Sequence, residues 1–197
     1  MTLNLESGRS QQKRRTRDAL IAAARDLIAK GASPTVEDAA LAAGISRTTA
    51  YRYFENQAAL LGAAHPETVR ESFLPAHPPS DPVARVEIVV REILRVILAT
   101  EGQQRTMLRL SLEAEPDRAR LALRQGRAIK WIEEALEPLR ARMSKAAHRR
   151  LVLAIRSATG IEALVWLVDV AGLSRDEAVR TMRWSAGALV RAAIAEL

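Results

Sequence analysis

Residues 33–61 read Ser-Pro-Thr-Val-Glu-Asp-Ala-Ala-Leu-Ala-Ala-Gly-Ile-Ser-Arg-Thr-Thr-Ala-Tyr-Arg-Tyr-Phe-Glu-Asn-Gln-Ala-Ala-Leu-Leu. No other stretch constrains the fold as tightly. Thr35 can start a helix, and Asp38 follows three residues later, the spacing of a capping box. Gly44 ends that helix, because glycine enters the left-handed backbone region without a Cβ penalty. Ser46 caps the next helix, which is predicted to run to about Phe54, and Asn56 can cap a fourth. Two short helices joined by a glycine turn are a helix-turn-helix. The second helix carries Arg47, Thr48, Thr49, Tyr51, Arg52 and Tyr53. That polar, aromatic and cationic face is chemistry that a DNA major groove accepts.

In such motifs the first helix crosses the phosphate backbone and the second lies in the groove. Arg47, Thr48, Thr49 and Arg52 would form the base-facing surface. Arginine can pair bidentately with guanine O6 and N7, and a threonine methyl can touch thymine. Tyr51 and Tyr53 can donate to phosphate oxygens, which positions the protein without reading sequence. Upstream, Lys13, Arg14, Arg15 and Arg17 would add salt-sensitive phosphate contacts. The alternative is a helical hairpin whose polar face is merely solvated. Against it, both tyrosines of the chain fall in this one short helix.

The rest of the chain is also patterned as helices. Leu20, Ala23, Ala24, Leu27 and Ile28 recur at helical spacing, with Gly31 as a stop. Leu20, Leu27, Leu41, Ile45, Phe54 and Leu61 are expected to share a small core. Residues 1–12 look like a flexible arm, so the first helix would begin near Arg14. Pro66 should kink or break the fourth helix near His65. Pro75-Ala-His-Pro-Pro-Ser-Asp-Pro is a linker, and Asp81-Pro82 is a strong start signal for a fifth helix to about residue 100. A sixth covers about 102–113. Glu115-Pro116 opens a seventh to about Arg142, bent at Pro138. Ser144 caps an eighth to about Ala171, stopped by Gly172. Ser174 with Glu177 is a capping box for a ninth, running to the end. No alternating strand pattern of useful length interrupts this order.

The fold class predicted is therefore all-α, with about nine helices. An arm at 1–13 precedes a helix-turn-helix domain at 14–61 and a helical bundle at 62–197. The last two helices carry a further signal. Between Ser157 and Ala171 only Glu162 and Asp169 are charged, and between Trp184 and Ala195 only Arg191 is. A helix on the surface of one core needs a single apolar stripe. Helices apolar on several sides need further cover, which a second copy can supply through a four-helix interface. Ala158, Gly160, Ala163, Ala186, Gly187 and Ala188 are small enough for close approach. The alternative is burial of both helices inside one protomer.

Several function classes lose support. The chain has no cysteine, so disulfides, thiolate catalysis and cysteine-ligated metals are excluded. His65, His77 and His148 lack metal-ligand spacing, and no metal or other cofactor is expected. No phosphate-binding glycine motif and no nucleophile elbow occurs, so no catalytic residue is assigned. Glu133-Glu134 and the basic stretch Arg118–Arg127 read as solvated helix faces. No uninterrupted apolar run reaches the roughly 18 residues of a membrane span, and no secretory h-region opens the chain. Cytoplasmic residence without a membrane partner is the default expectation. A net charge of +7 suits an anionic partner.

The segment Arg14–Leu61 resembles the DNA-binding domain of the TetR family of bacterial transcriptional regulators. The resemblance rests on Thr35-Val-Glu-Asp-Ala-Ala-Leu-Ala-Ala-Gly-Ile-Ser, then Thr49, Tyr51, Arg52, Tyr53-Phe54 and Leu60. It implies a homodimer on a palindromic double-stranded operator, usually a repressor. It also implies a second-domain cavity whose small-molecule effector moves the two reading heads apart. By position, Arg47, Thr48, Thr49 and Arg52 would face bases, and Tyr51 and Tyr53 would face phosphate. The family commonly has lysine where this chain has Gln57, at a phosphate contact; glutamine keeps a donor and loses the charge. Pro66 falls in the helix that links pocket to head in this family.

A ligand pocket of this kind would be apolar with few polar anchors. Met107, Leu110, Trp131, Ile155, Thr159, Glu162 and Trp166 are candidate lining. Four of these share one stripe of the eighth helix with Asp169, at spacings of four, three, four and three. Glu162 could anchor a cationic or hydroxylated ligand, or pair with a neighbour such as Arg156. A competing reading of the whole chain is a small-molecule-binding protein or enzyme with a non-functional helix-turn-helix.

Overall fold

Side-chain oxygens at helix starts set most element boundaries. Six helices begin behind a Thr, Ser, Asn or Asp whose side chain accepts a backbone N–H of the first turn: Thr35, Ser46, Asn56, Asp81, Ser144 and Ser174. Each such cap stabilises its helix by about 1 kcal/mol. Thr35 with Asp38, and Ser174 with Glu177, complete reciprocal capping boxes. In the computed structural model, residues 3–65, 70–112 and 127–197 are described, and none of them is in a strand.

The elements are α1 (Leu3–Ala29), α2 (Val36–Ala42), α3 (Arg47–Tyr51), α4 (Gln57–Ala64), α5 (Pro82–Ala99), α6 (Glu101–Leu112), α7 (Arg127–Ala135), α8 (Lys145–Ala158), α9 (Ile161–Val165) and α10 (Arg175–Ala195). A 3₁₀ turn at Glu137–Leu139 follows α7, and a π turn at Trp166–Val170 follows α9. Gly44, at φ +64, closes α2 as a Schellman motif. In it the Ile45 N–H reaches Ala40 O at 2.9 Å and the Gly44 N–H reaches Leu41 O at 3.2 Å. Gly31 ends α1 in the same way, at φ +83.

Several expected boundaries move. Helix α1 starts at Leu3 rather than near Arg14, so the expected arm is helical from that residue. The reading helix α3 stops at Tyr51, with Arg52 as its C-cap, short of Phe54. Helix α4 ends at Ala64 with His65 leaving helical geometry, the break expected beside Pro66; Pro66 itself lies outside the described residues. The expected helix start at Glu115-Pro116 and most of the basic stretch 118–127 also lie outside them. A 3₁₀ turn replaces the bend expected at Pro138.

The expected eighth helix is cut in two at Thr159-Gly160. Thr159 is fully buried and turns its hydroxyl back to Ile155 O at 2.7 Å. Gly160 is extended at the start of α9. The Arg156 guanidinium and Glu162 carboxylate, 3.3 Å apart, cross over it where a Cβ would collide with both. By length and composition, Lys145–Val170 is apolar enough to cross a membrane, contrary to the expectation from uninterrupted runs, although its backbone changes course at Gly160.

The chain divides into two compact units, and the division does not follow a single cut near residue 61. One unit holds α1–α4 together with α6; the other holds α5 and α7–α10. In the first, Leu20, Ala24 and Ile28 of α1 pack with Val36 and Ala39 of α2, Ala50, Phe54, and Leu60 and Leu61 of α4. Met107 of α6 is part of this core at 1% exposure. Ile45 packs on it half-buried, whereas Leu41, expected inside, is 84% exposed. In the second unit α10 packs on α5 and α8, and α7 lies between α5 and α8. Arg85 of α5 closes the end of α7 by donating to Glu134 O at 2.9 Å and Ala135 O at 3.0 Å.

Candidate nucleic-acid interface

Helix α3 is five residues long, so its orientation comes from its anchors. Ala50 is buried and seats the inner side on the core of the first unit. At the N-terminus, Ser46 Oγ accepts the Thr49 N–H at 3.3 Å and donates to Thr49 Oγ1 at 2.8 Å. At the other end Phe54 is buried, with the Arg17 guanidinium 5.5 Å from its ring centre. Arg47, Thr48 and Arg52 are left exposed, with Thr49 half-buried. Arg52 and Thr48 make no side-chain hydrogen bond or ion pair among the described residues.

Arg47 and Tyr51 are already engaged. Glu37, in the first turn of α2, accepts the Tyr51 hydroxyl at 2.7 Å and lies 3.0 Å from Arg47 Nη2. The Arg47 guanidinium sits 5.7 Å from the Tyr51 ring centre. The tyrosine hydroxyl, then the local backbone, then Arg47 hold the Glu37 carboxyl below its usual range. The same hydrogen bond raises the Tyr51 hydroxyl. Tyr51 therefore turns its hydroxyl toward α2 while its side chain stays exposed. Tyr53 is half-buried against the core.

Gln57 also departs from expectation. Its Nε2 donates to Ser33 O at 3.0 Å and Pro34 O at 3.3 Å, so its amide ties α4 to the loop before α2. The donor expected on phosphate is occupied. Arg15 is exposed, and Arg14 is exposed with Asp18 3.9 Å away.

Polar residues of α6, not singled out from sequence, complete the first unit. Gln103, 1% exposed, donates from Nε2 to Leu61 O at 2.6 Å. Gln104 Nε2 lies 3.2 Å from His65 Nε2, and Ser33 Oγ donates to Thr106 Oγ1 at 2.7 Å. The only advance signal was polar residues beside Met107, which a solvated helix face would equally give.

The seven candidate ligand residues do not form one group within either unit. Met107 and Leu110 pack into the core of the first unit. The other five belong to the second. Trp131 is buried, donates from Nε1 to Glu71 O at 3.0 Å and meets Phe73 edge-on at 4.3 Å between ring centres. Ile155 and Thr159 are fully buried, Glu162 pairs with Arg156, and Trp166 is 57% exposed. A cleft of about 570 Å³ in this unit is lined instead by residues that include Asp81, Glu87, Arg183, Trp184 and Arg191. Among the described residues no group of three His, Asp or Glu is placed to hold a metal ion.

Residues 20–64 match the family model of bacterial regulatory proteins, tetR family. A comparison of the chain with curated proteins finds no match. The matched segment runs from Leu20 in α1 to Ala64 at the end of α4, and so contains the capped turn, the short reading helix and most of the core that carries them. Residues 20–64 are therefore a helix-turn-helix DNA-binding domain of the kind found in the tetR family of bacterial regulatory proteins, which supports a role for the chain in regulating transcription.

Proposed function

We propose that the protein is a homodimeric repressor that binds a palindromic operator through α3 and is released by a small-molecule effector. The observation that carries the DNA-binding part is the exposed Arg47, Thr48 and Arg52 on a helix held from behind by Ala50 and Ser46. In the groove, Arg47 and Arg52 supply base-edge donors, and Arg14 and Arg15 neutralise phosphates. Dimerisation is supported by apolar side chains left in solvent at the end of the chain. Trp166 is 57% exposed, Val170 70% and Trp184 69%. Large apolar side chains left exposed on one unit are what an interaction surface would cover. A twofold copy of that surface would pair two α3 helices, which a palindrome requires. Repression follows by occlusion of promoter DNA. Release follows if an effector favours a head spacing that no longer fits the operator.

The test is selection of genomic DNA fragments by the purified protein, with Arg52→Ala beside it. Enrichment of one palindromic motif that Arg52→Ala weakens at a single base pair per half-site supports the reading. No enrichment by the wild-type protein at low salt refutes it.

A further inference from the structure

Glu37 places a carboxylate in the middle of a surface proposed to face DNA. Helices that cross the backbone lie close to phosphates, so a negative charge on α2 works against general affinity. Its geometry nevertheless joins three groups from two helices. The same Oε1 takes the Tyr51 hydroxyl at 2.7 Å and Arg47 Nη2 at 3.0 Å, and Arg47 lies over the Tyr51 ring. Arginine presents five donors in a planar fork. A carboxylate on one edge and a ring on one face fix the plane of that fork while Arg47 stays 74% exposed. Reading guanine O6 and N7 together needs a fork so fixed, because a misdirected guanidinium makes one bond of the two. Free arginine would find phosphates of any sequence instead.

Resting on the DNA-binding reading above, we propose that Glu37 is a specificity-determining positioning residue: through Arg47 it exchanges general affinity for DNA against discrimination at the base pair that Arg47 reads.

The experiment uses the full-length protein, Glu37→Gln, Arg47→Ala and the double variant. Each is titrated, over a series of salt concentrations, with the duplex that the wild-type protein enriches from a random-sequence pool and with a scrambled version of it. Glutamine keeps the length and an acceptor for Tyr51. It leaves the Thr35–Asp38 capping box and the buried Val36, Ala39 and Ala40 intact, and unchanged far-ultraviolet circular dichroism verifies this. Glu37→Gln is expected to bind the scrambled duplex more tightly, with a salt slope steeper by about 1 per protomer. Its preference for the selected duplex is expected to fall about tenfold. In the Arg47→Ala background the same change should leave the preference where Arg47→Ala put it. An unchanged preference in Glu37→Gln overturns the proposal, as does an equal fall with and without Arg47. Enrichment of no sequence by the wild-type protein removes the DNA-binding reading itself, and this proposal with it.

Discussion

Met107→Ala separates a core role from a ligand-lining role for the same side chain. Met107 is 1% exposed and packs among the core side chains of α1–α4, so truncation removes the thioether and its methylenes from a closed core. Met→Ala at a buried site costs about 2–5 kcal/mol, from lost transfer energy and the cavity left behind. For a unit of roughly 90 residues each kcal/mol moves the melting midpoint by about 4–8 °C, so a mid-range loss of about 3 kcal/mol lowers that unit's midpoint by roughly 12–24 °C. Met107→Leu, close in volume, should cost less than about 1.5 kcal/mol. The assay can also tell which unit is hit. All three tryptophans, Trp131, Trp166 and Trp184, lie in the unit of α5 and α7–α10. Guanidinium unfolding followed by tryptophan fluorescence reports that unit, whereas circular dichroism reports helix in both. Met107→Ala should therefore lose part of its dichroism at a lower denaturant concentration than its fluorescence. A variant that keeps the wild-type dichroism midpoint, or whose loss appears first in fluorescence, would refute the assignment of Met107 to the head core.

Other outcomes follow from the same structure. Arg52→Ala should lose about 1–3 kcal/mol of discrimination at one base pair per half-site, read by competition between duplexes differing at single positions. Trp184→Ala and Trp166→Ala should each weaken self-association by about 2 kcal/mol if these side chains anchor the interface, measured by sedimentation over a concentration series. The Asp38 carboxyl is held below its ordinary value, first by the Thr35 backbone N–H and then by the Thr35 hydroxyl. Its folded pKa lies below the unfolded one, so its contribution is complete above the ordinary carboxylate range and fades as the pH falls through the lowered value. Asp38→Asn should flatten that acid limb of the stability curve, and an unchanged limb would count against the capping role.

What could be read from the chain alone was whatever is decided within one helical turn. Ser46, Asn56, Asp81, Ser144 and Ser174 each cap a backbone N–H two or three residues away, so residue type and spacing carry the whole interaction. The same holds for Gly44, whose positive φ is a property of the turn itself. Helix order, the helix-turn-helix and the exposed Arg52 were legible on these grounds. Tertiary structure decided what each apolar face meets, because a stripe of Met and Leu looks alike whichever core it fills. Met107 and Leu110 thus join the first unit, and Leu41 faces solvent. It also decided which polar groups are occupied. Gln57 reaches carbonyls 23 and 24 residues away, and Glu37 holds a hydroxyl 14 residues away. Such pairings depend on where the turn at Gly44 and the packing of Ala50 set one helix against another, and no local spacing encodes them.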